Sequence, residues 1–335
     1  MSFDILADGH VILQAPTNEL EDWMREAMQV RLQSFGRNLL CYSPTAYPYK
    51  IREHEQTSSH NFLSLSITGT SCSLNCEHCN GRLLRGMESR TTPELLFERC
   101  KEIKGLGGQG VLISGGSDSS GHVPLKRFGE AIGRVKRELE MLVVVHTGLV
   151  DSETAQILAE AQIDAAMIDV VGNRDVASRV YHISNGPKKM RQSLDFLEEQ
   201  KIATVPHILV GLDYGRLRGE VEALQIIAQG TPSAVVIIAL SPVKKTPMES
   251  VLPPTPEEIS RIMTTARLGF RNTPVLLGCA RPKGRHKIDT DVLAIRSGVN
   301  GVALISQEGI DFAKSLGLVP IFEDVCCSLA YQVIS

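Results

Sequence analysis

The chain has 335 residues, 43% of them hydrophobic, and a formal net charge of −3. This composition belongs to a globular protein with a large core and excludes disordered and fibrous classes. A balance this near neutral gives no electrostatic case for nucleic acid as a partner. The opening MSFDILADGHVILQAPTNE has no charged segment followed by a long apolar core, and the longest apolar run, AVVIIAL at 234–240, is far too short for a membrane span. No signal peptide and no membrane partner are therefore expected, and the expected location is the cytoplasm.

Residues 1–60 read as an N-terminal extension. Between 18 and 35, Leu20, Trp23, Met24, Met28 and Leu32 recur at helical spacing, which predicts one amphipathic helix. CYSPTAYPYK, with Pro44 and Pro48, reads as irregular chain. From residue 61 a regular alternation begins. Short β-branched apolar runs at 62–68, 111–114, 142–146, 165–171, 204–210, 234–240, 275–279 and 301–305 are separated by stretches of helical length. Thr92-Pro93-Glu94 is an N-cap with proline at the first helical position, and Thr255-Pro256-Glu257-Glu258 adds a capping box. Strands alternating with helices every ~30 residues predict parallel β/α units. Eight strands point to a closed (β/α)8 TIM-type barrel over 61–316, with a six-stranded open barrel as the alternative. Residues 317–335 form a C-terminal tail.

The eight cysteines stand at 41, 72, 76, 79, 100, 279, 326 and 327. In a cytosolic enzyme a close cluster points to a metal or redox site. Cys72, Cys76 and Cys79, spaced C-x3-C-x2-C, follow the first strand, on the face where such folds carry their sites. A structural zinc site needs four ligands. His78 is a candidate fourth, but as the neighbour of Cys79 it is poorly placed for a shared tetrahedron. Three thiolates on an iron–sulfur cluster would leave one iron open.

C-x3-C-x2-C in the loop after the first strand of a β/α barrel resembles the radical S-adenosylmethionine (SAM) superfamily. The resemblance implies a [4Fe–4S] cluster on Cys72, Cys76 and Cys79, with its fourth iron chelated by SAM. One electron would then split SAM into methionine and a 5′-deoxyadenosyl radical, which abstracts hydrogen from an unactivated carbon. It also implies that Gly115, Gly116 and Ser117 meet the SAM amino group, where paired glycines let backbone approach a ligand. Asp169 would face the ribose, with a loop-capping role as the alternative, and Val210 and Gly211 would flank the adenine, with a place in the core as the equal alternative. The superfamily usually has an aromatic residue where His78 stands, and often an acid where Ser117-Asp118 stand. Gly105-Leu-Gly107-Gly-Gln-Gly110 matches G-x-G-x-x-G, but it follows a predicted helix and feeds a strand, so it is no dinucleotide fingerprint. His146 and His207 read as core histidines and Cys100 as a core cysteine.

Cys279 ends the seventh predicted strand, and Cys326 and Cys327 lie in the tail. They suggest an auxiliary cluster, completed by Cys41 or Ser328, against the alternative of inert buried thiols. Leu240-Ser-Pro-Val-Lys-Lys-Thr-Pro-Met and Gly278-Cys279-Ala280-Arg281 resemble biotin synthase and its relatives, in which an arginine at the position of Arg281 meets a second cluster. The terminal Cys-Cys-Ser and the CYSPT segment are more similar to one component of the archaeal-type two-protein lipoyl synthase. That resemblance implies sulfur insertion into an octanoyl chain on a carrier protein or domain, a paralogous radical SAM partner, and an electron donor such as ferredoxin or flavodoxin. The alternatives are another biotin synthase-like enzyme, a methylase or a ring-forming enzyme, a non-enzymatic iron–sulfur electron-transfer protein, and a zinc-stabilised binding module.

Overall fold

The computed structural model describes residues 3–44, 48–56 and 58–334. Eleven strands form one sheet: β1 (Asn38–Tyr42), β2 (Phe62–Ser66), β3 (Glu88–Ser89), β4 (Gly110–Ser114), β5 (Leu142–His146), β6 (Ala165–Asp169), β7 (Thr204–Val210), β8 (Val235–Ala239), β9 (Val275–Leu277), β10 (Gly301–Ala303) and β11 (Val319–Glu323). The spatial order is β11-β1-β10-β9-β8-β7-β6-β5-β4-β2-β3, and neighbouring strands pair parallel. The eight expected strands are β2 and β4–β10, so the β/α barrel reading holds. The ladder is open, however, with β3 and β11 at its edges.

A parallel sheet covered on both faces needs apolar residues in succession. In β5, Val143 and Val145 pack outward against Leu96, Phe97, Ile132 and Val135 of the surrounding helices. Val144 between them points inward, beside Met167, Val205 and Leu276. Both predicted caps form. Thr92 Oγ1 accepts from Leu95 N at 3.3 Å. Thr255 and Glu258 bond reciprocally, at 3.2 Å and 2.7 Å. The amphipathic helix spans Thr17–Phe35 and buries Leu20 and Met24. Among the described residues no helix is long and apolar enough to cross a membrane.

Two segments differ from the expectation. Cys41 and Tyr42 were expected to be irregular; they end β1, which lies between β10 and β11 with Cys41 opposite Val302 and Phe322. The rest of that stretch includes Thr45, Ala46 and Tyr47, which lie outside the described residues. Secondly, after the carboxyl end of β11 the tail turns down the inside of the sheet. Val325, Cys326, Cys327, Leu329 and Ala330 are buried with Tyr42, Phe62 and Met167, and Tyr331 donates to the carbonyl of Asp164, at the amino end of β6. At the open seam, Asn61 Nδ2 donates to Asp324 O at 3.1 Å. The tail therefore fills the interior that a closed barrel would fill with strand side chains alone.

Candidate functional site

The loop after β2 carries Cys72, Cys76 and Cys79. It is built from tight turns. Cys79 N and Asn80 N both donate to Cys76 O, at 3.1 Å and 2.8 Å, and Arg82 N donates to Cys79 O at 2.8 Å. Neighbouring loops hold it from three sides. Ser73 N donates to Ser117 O at 2.8 Å and Glu77 N to Val180 O at 2.9 Å. Arg82 Nε donates to Lys245 O at 2.9 Å. Cys76 is buried, and Cys72 and Cys79 are half-buried.

Gly116 presses against the start of this loop. A Cβ there would lie 2.0 Å from Ser71 O and 2.6 Å from Cys72 Cα, and its N–H donates to Thr68 Oγ1 at 2.6 Å. Asp118 closes its own turn, accepting from Ser120 N at 2.8 Å and His122 N at 3.0 Å. The G-x-G-x-x-G match is a connector, because Gly105 ends a helix and Gly110 begins β4.

A cavity of about 1890 Å³ opens at the carboxyl end of the sheet. Its wall includes Cys72, Cys76 and Cys79, then Gly115, Gly116 and Ser117, with Asp169 and Cys279 further round. Leu112, Leu149, Ile168, Leu209, Ile238 and Leu240 make much of the remaining wall apolar. Val210 lies in the outer core and Gly211 in the turn after β7, and neither lines the cavity; the neighbouring Leu209 does. Gly211 turns with φ +79°, and its N–H donates to Glu220 Oε1 at 2.9 Å.

Glu220 is buried and its Oε2 has no hydrogen-bond partner. Burial raises its pKa from 4.5 to about 7, against the opposing hydrogen bond from Gly211. A carboxyl raised on folding adds stability that is complete below the unfolded pKa and is lost as pH rises through the folded one. The span is worth about 3 kcal/mol. The expected result is that urea unfolding free energy falls between pH 5 and pH 8, and that Glu220→Gln removes most of this slope.

Asp169 shares the cavity wall with two groups that the residue pattern did not single out for chemistry. Tyr181 OH donates to Asp169 Oδ2 at 3.0 Å, and His146 Nε2 lies 3.4 Å from Asp169 Oδ1. Burial opposes charge on Asp169, but His146, with His207 and His78, outweighs it and holds the carboxyl well below the usual range. On His146 the same burial is outweighed by Asp169, so its pKa is raised. His207 is buried beside them, its ring 5.8 Å from that of His146. Burial first, then His146, lowers its pKa to about 4. The available signal for His146 was its place at the carboxyl end of a predicted strand.

Cys279 is open to the cavity. Burial first, then the nearby Cys326, raises its thiol pKa. The adjacent thiols of Cys326 and Cys327 act on each other, so that the pKa of the first is lowered to about 7 and that of the second is raised. Ser328 joins them, accepting from Cys326 Sγ at 3.5 Å. Cys41 belongs to the outer core, since Tyr42 faces the interior and alternation turns Cys41 away. Burial pushes its thiol up to about 12. Arg281 lines the cavity with Cys279 and is paired with the buried Asp291. Its Nε donates to Asp291 Oδ1 at 2.9 Å and its Nη1 to Gly278 O at 2.7 Å. Cys100 is core, as expected.

The loop with Cys72, Cys76 and Cys79 offers thiols of the kind that hold iron–sulfur clusters, beside a cradle at Gly116 that a Cβ would fill and a cavity larger than the ~300–1,000 Å³ of ordinary small-ligand sites. The residues thus fit both a cluster and a nucleoside ligand. No family model matches the chain. Over 269 residues it is 26% identical to 3-methylornithine synthase of Methanosarcina barkeri (strain Fusaro / DSM 804), covering 76% of this chain and 72% of that protein. Over 291 residues it is 23% identical to biotin synthase of Synechococcus sp. (strain CC9605), covering 84% and 85%. Among solved structures, methylornithine synthase matches with a TM-score of 0.69 at 18% identity, covering 100% of this chain and 97% of that one. The FeFe-hydrogenase maturase HydG from Carboxydothermus hydrogenoformans matches with 0.64 at 14% identity, covering 95% and 76%. The solved structures establish a shared fold. The sequence relatives support a radical SAM enzyme of the biotin synthase-like kind, working with a [4Fe–4S] cluster and SAM.

Proposed function

We propose that this enzyme inserts sulfur into an octanoyl chain carried on a lysine of a protein domain, as one component of a two-protein lipoyl synthase. The observation that carries the reading is that the cysteine loop and a further cysteine, Cys279, line one largely apolar cavity. Cys72, Cys76 and Cys79 line one part of it, and Cys279 lines another, with Cys326 and Cys327 buried behind. When bound, the cluster and SAM supply a 5′-deoxyadenosyl radical, the reagent an unactivated C–H bond requires.

The chain's own residues have separable roles. Cys72, Cys76 and Cys79 would hold the SAM-binding cluster, and Cys279, Cys326 and Cys327, with Ser328, a second one. Gly115 and Gly116 would let backbone reach the SAM amino group, with Ser117 beside them, and Asp169, set by Tyr181 and His146, would accept from the ribose. Leu209, next to Val210 and Gly211 at the end of β7, would offer the apolar surface beside the adenine. Seven buried methylene or methyl groups of an octanoyl chain would add about 6 kcal/mol of binding. The apolar wall made by Leu112, Ile168 and Ile238 suits such a chain. The partners that follow are an octanoylated carrier domain, a paralogous radical SAM protein and a one-electron donor.

The test is anaerobic turnover of the reconstituted enzyme with SAM, a reductant, an octanoyl-lysyl peptide and the paralogous partner. Thio-octanoyl peptide and 5′-deoxyadenosine are the expected products. Absence of any sulfur-bearing peptide in that mixture overturns the proposal. A second reading, a free amino acid as substrate, is favoured by the similarity to 3-methylornithine synthase over 76% of the chain. It predicts 5′-deoxyadenosine formation driven by free basic amino acids and not by the peptide.

A further inference from the structure

Cys76, His78 and Cys79 each direct one donor atom to a common point, and the three atoms lie within 4.8 Å of one another. Adjacency to Cys79 had argued against a shared tetrahedron for His78; the tight turn closed on Cys76 O brings them together all the same. Nδ1 of His78 is buried and has no hydrogen-bond partner. Its ring rests against Tyr181, with centroids 5.1 Å apart. A buried, unpaired imidazole nitrogen beside two thiols is an unused ligand. Cys72 stands outside this convergent group among the described residues.

We propose that the cluster-free chain binds one thiophilic divalent cation, zinc or ferrous iron, on Cys76, His78 and Cys79, with a fourth position open to the cavity. Two thiolates and one imidazole with an open place are a known donor set for zinc. Tetrahedral bonds of about 2.3 Å to sulfur and 2.0 Å to nitrogen separate such ligands by about 3.5–3.8 Å. Small side-chain rotations close the present spacing to that value. Binding releases the thiol protons of Cys76 and Cys79 and involves no oxidation or reduction.

This inference rests on the reading of the loop as a cluster loop, and the two states use different ligands. The cluster draws on Cys72 and leaves His78 aside; the single ion draws on His78 and leaves Cys72 aside. Because both need Cys76 and Cys79, they exclude each other. Zinc in the purified chain is then a competing state of the enzyme, and does not by itself point to a zinc-stabilised binding module.

The experiment titrates cluster-free protein anaerobically with Zn2+ against a chromophoric chelator, with Co2+ as spectroscopic probe. One equivalent should bind. Cys72→Ser should bind as wild type, His78→Phe at least tenfold more weakly, and Cys76→Ser not measurably. Reconstitution with iron and sulfide should show the opposite pattern, with the cluster lost in Cys72→Ser and kept in His78→Phe. Zinc binding that survives His78→Phe unchanged, or falls equally in Cys72→Ser and Cys76→Ser, overturns the proposal. If His78→Phe fails to fold, X-ray absorption of the wild-type zinc form decides, since two sulfurs with one nitrogen support it and three sulfurs refute it. Failure of the cluster reading would appear separately, as no iron and sulfide uptake by wild type.

Discussion

A chain with Cys72, Cys76 and Cys79 all replaced by alanine is expected to lose SAM cleavage entirely while retaining about four irons per chain. Loss of cleavage follows because the substitution removes every thiol of the loop beside the Gly115-Gly116 cradle. Retention of iron follows from the second set. Cys326 and Cys327 are buried against Tyr42 and Met167, with Ser328 bonded between Cys326 and Met167. None of these residues depends on the loop for its position. Iron and acid-labile sulfide, measured after anaerobic reconstitution, check the result. No residual iron would mean that Cys279, Cys326 and Cys327 are inert thiols, and the sulfur-insertion proposal would then lack its sulfur source.

Gly116→Ala is expected to abolish SAM binding and to lower the melting temperature by about 1–4 °C, from an overpacking cost of about 1–3 kcal/mol. The new methyl group would stand 2.0 Å from Ser71 O and 2.6 Å from Cys72 Cα. Both are backbone atoms of the cysteine loop, so no side-chain rotation relieves the contact. Gly115→Ala is the control, because its nearest neighbours are the side chains of Thr68 and Ile67 at 3.0–3.1 Å, which can give way. Equilibrium binding of SAM to the reconstituted variants separates the two. Equal affinity in Gly116→Ala and wild type would show that the glycine serves folding alone.

The parts of the site that were legible in the residue pattern share one property. Cys72, Cys76 and Cys79 are close in sequence and follow a strand whose apolar run is unmistakable, so spacing alone locates them. Gly115 and Gly116 likewise end a run of β-branched residues. Strand parity was less forgiving. The end of β7 was located, but which of Leu209 and Val210 faces the cavity is a one-residue question, and in a strand one residue changes the face. Arg281 was placed by analogy beside a cluster. The structure binds it to Asp291, ten positions along the chain, which also accepts from Lys287 and Ser306 N, and keeps it on the cavity wall with Cys279.

By itself the sequence determined the β/α alternation, the eight barrel strands, their caps and the cysteine loop at a strand's carboxyl end. These depend on local periodicity and on neighbours a few residues apart, and such information survives in a linear string. Only the tertiary structure decided that β1 and β11 extend the sheet, that its ladder stays open, and that the tail descends inside it to put Cys326 and Cys327 near Cys279. It alone joined His146, Asp169 and Tyr181, and brought His78 to Cys76 and Cys79. The physical reason is that pairing an edge strand or filling an interior depends on which buried surfaces remain uncovered once the barrel has formed, a competition among distant segments that no short window of residues records.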